Sequence, residues 1–317
     1  MDGPPALPGT LQVIERGWLS SNSILAFEGN GDARGAMLID SGYAGQSAQT
    51  LALVADALAA HPAAPPLARL VNTHSHSDHI GGNAALAAAH GCEVVIPAGI
   101  EDIVVRWDED ALLLAPAGQR GVPFAHDALI AAGTRFEFGG LEWQALAAPG
   151  HDMHALMFHA PAARLLVSGD ALWQDGFGVV FGEIFGDKTA LPATRRTLEA
   201  IAALDLACVI PGHGAPFADV DAALARANRR LAAYENEPLR VARNGIKACF
   251  TFNLLDVGRL PATGLAQYVE SIPFFRDVGR DLLGFDADAM ARWLVDDLSR
   301  AGAIGIEDGW IVPRMAA

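Results

Sequence analysis

The N-terminal third of the chain alternates short apolar runs with polar breaks, and the spacing predicts strands. Residues 11–15, 23–27 and 36–39 are apolar runs bounded by Gly, Asn or Asp. Gly29-Asn30-Gly31-Asp32 reads as a turn between the second and third. Residues 46–60 are rich in Ala and Leu and predict a helix, stopped by His61-Pro62. Leu70-Val71 is a short strand leading into a histidine cluster. Residues 82–90 predict a helix ended by Gly91, and 92–96 a further strand. Residues 100–130 mix helical pieces with Pro116 and Pro123 and read as a flap over one face. A hairpin follows at Gly139-Gly140, then a buried strand at 165–167 ending in Gly169-Asp170. Residues 193–204 are helical, and 208–210 form a strand running into Pro211-Gly212-His213. Strands and helices in alternation, in two strand-rich halves, predict a mixed-sheet sandwich with helices outside.

The texture changes after His213. An Arg/Ala helix covers 222–234, helical pieces follow near Val241 and Gly264 and over 287–298, and Asp308-Gly309 joins two apolar runs as a hairpin. Helices closed by a hairpin predict a small, mostly helical, winged-helix-like domain. The expected division is therefore 1–218 and 219–317.

With 317 residues, 51% of them hydrophobic and 19% charged, the chain can bury a sizeable core and is not a disordered one. No apolar run approaches the roughly 18–20 residues of a membrane span, and the first residues lack a basic-then-apolar leader. Cys92, Cys208 and Cys249 are scattered with no CxxC spacing, which argues against a disulfide framework or a thiolate zinc site. These features predict a cytoplasmic protein without membrane association. The net charge is −15, and 23 acids against 10 bases before Asp219 give −13 of it. Such a balance speaks against nucleic acid and for a small-molecule substrate. A homodimer is compatible with the sequence, which does not specify one.

The chemistry concentrates in Asn72-Thr73-His74-Ser75-His76-Ser77-Asp78-His79-Ile80-Gly81-Gly82. His74, His76 and Asp78 alternate, so an extended segment would point them one way, with His79 diverging at the mouth of a helix. Imidazole and carboxylate suit zinc, iron or manganese. Three further candidates sit at the ends of apolar strands, each beside a glycine: His151, Asp170 and His213. Together with the cluster they complete ligand sets for two metals.

These motifs are those of a family. His74-Ser75-His76-Ser77-Asp78-His79, Pro149-Gly150-His151, Ser168-Gly169-Asp170 and Pro211-Gly212-His213-Gly214, with Asp40 at an early strand end, resemble the metallo-β-lactamase fold superfamily over the first two thirds of the chain. The resemblance implies an α/β, αββα four-layer sandwich with metals at one edge of the sheets. It implies His74, His76 and His151 on a first ion, Asp78, His79 and His213 on a second, and Asp170 bridging. The cofactors it implies are two divalent ions, zinc first, with manganese or iron as alternatives. A hydroxide shared by the ions would attack an electrophilic carbonyl or phosphorus, with Asp78 as the catalytic residue that steers it or carries a proton. Asp40 would support a ligand rather than bind metal.

The seven-ligand set is similar to that of glyoxalase II thioesterases, quorum-quenching lactonases and the ribonucleases of this fold. The true zinc β-lactamases lack the bridging aspartate. Where the lactonases place a tyrosine three residues after that aspartate, this chain has Trp173. The tail resembles the endoribonuclease branch. The function expected is a dinuclear hydrolase of a small ester or thioester. The alternatives are a phosphodiesterase or ribonuclease, and an iron-dependent sulfur dioxygenase. The aromatic, glycine-rich segment 173–181 predicts an apolar pocket wall with Trp173, Phe177 and Phe181, joined by Trp18 and Tyr43; ordinary core packing is the competing reading. His154 is a candidate for touching substrate, with support of the ligands as the plainer role. Trp173→Ala is expected to raise KM more than it disturbs metal content.

Overall fold

The computed structural model describes residues 6–27 and 35–314, and the turn expected at 29–32 lies outside them. Strands β1 (Leu11–Ile14), β2 (Ser23–Phe27), β3 (Ala36–Ile39), β4 (Leu67–Val71), β5 (Glu93–Pro97) and β6 (Ala128–Ile130) lie in that order in one sheet. The first three pair antiparallel and the rest join in parallel. A parallel step needs a crossover. Helix α1 (Ser47–Ala60) supplies one between β3 and β4, and α2 (Ser77–Ile80) with α3 (Asn83–His90) supplies the next. The second sheet contains β7 (Arg135–Phe138), β8 (Leu141–Ala147), β9 (Leu156–Ala160), β10 (Leu165–Gly169) and β11 (Cys208–Pro211), ordered β11-β10-β9-β8-β7.

The apolar strands are buried on both faces, and alternate residues serve different layers. Ile24 and Ala26 of β2, with Met37 and Ile39 of β3, meet Trp143, Phe158 and Val167 between the sheets. Their neighbours Leu25, Phe27 and Leu38 face outward onto Val54, Leu58 and Leu86 of the helices. In the second sheet Leu165 and Val167 point inward, while Leu166 joins the outer core. The result is the αββα sandwich. Trp143, fully buried, satisfies its indole by donating to the Phe138 carbonyl at 3.0 Å.

Segment 100–130 holds α4 (Glu101–Arg106), α5 (Leu114–Ala117) and the edge strand β6, whose three residues are too few to show a period. Helices α6 (Phe181–Ile184) and α7 (Ala190–Ala202) follow β10. The tail comprises α8 (Val220–Asn236), α9 (Leu239–Val257), α10 (Leu265–Ser271), α11 (Pro273–Val278) and α12 (Ala287–Arg300). It also has a small sheet in which β14 (Trp310–Pro313) lies between β12 (Leu260–Pro261) and β13 (Ile304–Glu307). Asp308 and Gly309, with φ of 49° and 81°, make the hairpin turn.

Asp219 caps α8 by accepting from the Ala222 amide at 3.2 Å. We propose it as a division of topology and not of the core. Met157 and Leu166 of the second sheet share one apolar cluster with Phe250, Leu254, Leu294 and Ile311 of the tail. No described helix is long and apolar enough to cross a membrane.

Candidate metal centre

Strand ends converge at one edge of the sandwich. The Asp40 amide donates to the Val71 carbonyl at 3.0 Å, the Leu156 amide to Thr73 at 2.8 Å, and the Gly212 amide to Gly169 at 2.8 Å. These bonds bring the loops after β3, β4, β8, β10 and β11 together, and those loops carry the candidate donors. Their ligand atoms fall into three overlapping groups: His74, His76 and His151; His74, His79 and Asp170; and Asp78, His79 and His213.

The extended alternation covers only His74 and His76. His76 is itself extended (ψ 151°) and caps α2, its carbonyl accepting from the His79 and Ile80 amides at 3.0 and 3.2 Å. Asp78 therefore sits on a helical turn and not on an extended segment. Successive residues there rotate by about 100°, which turns Asp78 toward His213 and leaves the His79 ring between His74 and His213, at 4.0 and 5.8 Å.

Hydrogen bonds fix which nitrogen of each ring is free. Asp40, at φ 58°, accepts from the Thr73 amide and hydroxyl, each at 2.8 Å, and from His79 Nδ1 at 2.8 Å. With its proton on Asp40, the Thr73 hydroxyl accepts from His74 Nδ1 at 3.0 Å. His151 Nδ1 donates to the Val179 carbonyl at 2.5 Å. As neutral rings, His74, His79 and His151 would thus each present Nε2 as the free nitrogen. That of His79 is buried without a hydrogen-bond partner. His74 Nε2 lies 3.1 Å from His76 Nδ1, which lies 2.7 Å from His151 Nε2. Three imidazole nitrogens converge where at most one proton can serve them. That arrangement fits a cation held by neutral imidazoles.

Asp170 reaches both sides. Its Oδ2 is 3.3 Å from His151 Nε2 and its Oδ1 3.5 Å from His79 Nε2. Asp78 Oδ2 lies 2.9 Å from His213 Nε2 and 3.8 Å from His79 Nε2. Burial opposes charge on His74, His76, Asp78, His79, Asp170 and His213, and the neighbours decide the outcome. Burial and surrounding imidazoles push His74 well below the ordinary histidine value, and His76 down to about 4. At His79 the carboxylates of Asp40, Asp170 and Asp78 outweigh burial and raise it well above, and at His213 Asp170 and Asp78 act the same way. Against burial, His79 and His213 hold Asp170 well below the usual carboxylate range and lower Asp78. Burial pushes the Cys208 and Cys249 thiols up to about 11 and 12, so neither offers a thiolate.

A cavity of about 460 Å³ opens onto these donors, with Trp18, Trp173 and Phe181 in its lining. The Trp18 ring stacks on His213 at 5.5 Å, and Trp173 meets the same ring edge-on at 5.4 Å. Trp173 Nε1 also donates to Asp170 Oδ1 at 3.1 Å. The other three expected pocket residues lie elsewhere. Tyr43 is fully buried behind the wall, its hydroxyl donating to Asp256 at 3.1 Å and accepting from the Arg120 amide. Phe177 faces the core because the tight Trp173–Gly176 turn redirects the chain inward. His154 is exposed, its ring against Gly99.

Residues 16–213 match the metallo-beta-lactamase superfamily. The chain belongs to this superfamily. Its curated relatives include a hydroxyacylglutathione hydrolase of Hyphomonas neptunium, 30% identical over 115 residues, 36% of this chain and 38% of that protein. Another, of Pseudomonas paraeruginosa, is 34% identical over 125 residues, 39% and 40% of the two chains. The chain thus spans under half the length of these relatives. Among solved structures, a Cronobacter sakazakii metallo-beta-lactamase shares the fold at TM-score 0.57 and 19% identity, over 76% of this chain and 99% of that one. A metallo-beta-lactamase family protein from Thermus thermophilus does so at 0.55 and 19%, over 98% and 100%.

Sequence reasoning missed several supports in this superfamily member. Asp152 accepts from the Ser75 hydroxyl at 2.8 Å and braces the histidine loop; its only signal is its place beside His151. Gly212 and Gly178 allow close approach, since a Cβ there would lie 2.2 Å from Asp170 Oδ1 and 2.4 Å from His151 Nδ1. The face of α9 that lines the cavity carries no motif at all.

Proposed function

We propose that the protein is a metal-dependent hydrolase of small esters or thioesters with a dinuclear centre. The carrying observation is Asp170, whose two oxygens approach donors of both groups separately. His74, His76 and His151 would hold one ion, and Asp78, His79 and His213 the other, with Asp170 shared. Two divalent ions there, zinc first with manganese or iron as alternatives, would supply Lewis acidity and lower the pKa of a water between them. Thr73, Asp40 and the Val179 carbonyl keep the rings in the tautomers that binding needs. Trp173 fixes the rotation of Asp170. Asp78, a carboxylate at neutral pH, would take the proton given up as water adds to the scissile carbonyl and pass it to the departing alcohol or thiol. The relatives' name, hydroxyacylglutathione hydrolase, supports acyl transfer to water.

The test is metal analysis of protein purified without chelator, with turnover of p-nitrophenyl esters, acyl thioesters and bis-p-nitrophenyl phosphate. About two ions per chain with ester or thioester turnover is the expected result. Turnover of the phosphodiester alone, or one iron with oxygen uptake and no hydrolysis, would overturn it.

A further inference from the structure

Helix α9 turns one face to the cavity. Asn244, Lys247, Ala248, Thr251, Phe252 and Leu255 line it at intervals of three to four residues, the spacing of a single helical stripe. The stripe is polar near Asn244 and apolar toward Leu255. The flap adds Leu113 and Ala117, and the loop after β10 adds Val179 and Phe181. Together with Trp18 and Trp173 these make an apolar chamber whose far side belongs to the tail.

The polar groups that line the chamber away from the metal donors are largely committed to the protein. Lys247 Nζ lies 2.7 Å from Asp297. Gln119 accepts from the Ser77 hydroxyl at 2.6 Å, and Asp175 pairs with Arg226 at 3.2 Å. Arg230 gives its Nε to the Tyr234 hydroxyl at 2.8 Å and lies over the Phe177 and Tyr234 rings at 5.3 and 5.5 Å. A chamber so furnished gains most by removing apolar ligand surface from water.

We infer that the scissile ester or thioester carries a bulky apolar group, an alkyl chain of several carbons or an aryl group, which lies along α9. This rests on the hydrolase reading above and names its substrate class. Ala248 stands exposed on the wall, so a larger side chain there fills the chamber without disturbing the core.

The experiment uses the metal-loaded full chain and straight-chain p-nitrophenyl esters from acetate to octanoate. We expect kcat/KM to rise up to about fourfold per added methylene, as full burial of each would give. Ala248→Trp should flatten the series, lowering the octanoate-to-acetate ratio at least about tenfold with unchanged metal content. A flat series in the wild type, or an equal loss at every length in the variant, overturns the inference. A calorimetric titration with neutral alkyl carboxamides of four to ten carbons reads the chamber without turnover. If no ester or thioester is hydrolysed, the hydrolase reading falls and the titration alone decides. Affinity that climbs with length in the wild type but not in Ala248→Trp upholds the apolar chamber; affinity independent of length overturns it.

Discussion

His74 and His76 are held neutral, whereas His79 and His213 are driven toward charge, although the four rings share one cluster in which three are buried and His76 half-buried. Burial acts in the same direction on each. The difference lies in the company. Around His74 and His76 stand other imidazoles, whose partial charges add to the cost of a proton. Around His79 stand the carboxylates of Asp40, Asp78 and Asp170, which more than offset burial. The lesson is that a histidine-rich motif is not one electrostatic environment. One half offers lone pairs at neutral pH, and the other must shed protons before it can hold a cation.

The largest expected effect removes the residue common to both halves. Asp170→Ala should cut hydrolysis by on the order of a thousandfold and lower metal content toward one ion per chain, read by elemental analysis. Retention of two ions would remove the bridging role. Next, Asp40→Asn should act unequally on the two halves. It should weaken the ion held by Asp78, His79 and His213 by about 10–100-fold and the three-histidine half less, because Asp40 touches His79 directly but reaches His74 only through the Thr73 hydroxyl; competition with a chromophoric chelator measures both.

A smaller contrast is in protons. In the metal-free protein the nearby carboxylates favour a proton on His79 and His213, whereas burial and neighbouring imidazoles disfavour one on His74 and His76. Calorimetry in buffers of different ionisation enthalpy should show more protons released on filling the carboxylate half than on filling the half held by His74 and His76. Affinity of the carboxylate half should climb with pH through the raised histidine values. The linkage to stability has the opposite sense. In the metal-free protein the His79 contribution is fully present below its ordinary value of 6.5 and is lost as pH rises through the raised one. The depressed Asp170 contributes above its ordinary value of 3.8 and loses that on acidification.

The smallest effect is Trp173→Phe. It deletes the bond to Asp170 but keeps the aromatic wall, and should cost about three- to tenfold in activity, the worth of one hydrogen bond. Because the indole touches the proposed bridge, metal affinity should fall with it. The sequence predicts an effect of Trp173 mainly on KM, and the bond to Asp170 adds an expected effect on metal affinity.

The ligand candidates were legible because metal ligands sit in short, chemically unusual strings. Three histidines and an aspartate within six residues have few structural uses, and Pro-Gly-His and Gly-Asp at apolar strand ends completed the pattern. The sandwich was legible from apolar strands alternating with helices. The supports were not. Asp152 reaches Ser75 across 77 residues, and Asp256 and Asn253 pin the flap from a helix more than 130 residues away. Tyr43 and Phe177 were legible as aromatics but not as core, since the same residue type fills walls and interiors alike.

By itself the sequence determined the inventory of this protein: the two sheets, the donor types, their order along the chain and the superfamily they announce. Local spacing and side-chain chemistry are written in contiguous residues. The tertiary structure alone decided which imidazoles are pushed toward neutrality and which toward charge, which carboxylate oxygen faces which ring, and that a tail helix walls the cavity. Those depend on distances between residues far apart in the chain, and a pKa or a pocket is a sum over neighbours that only folding brings together.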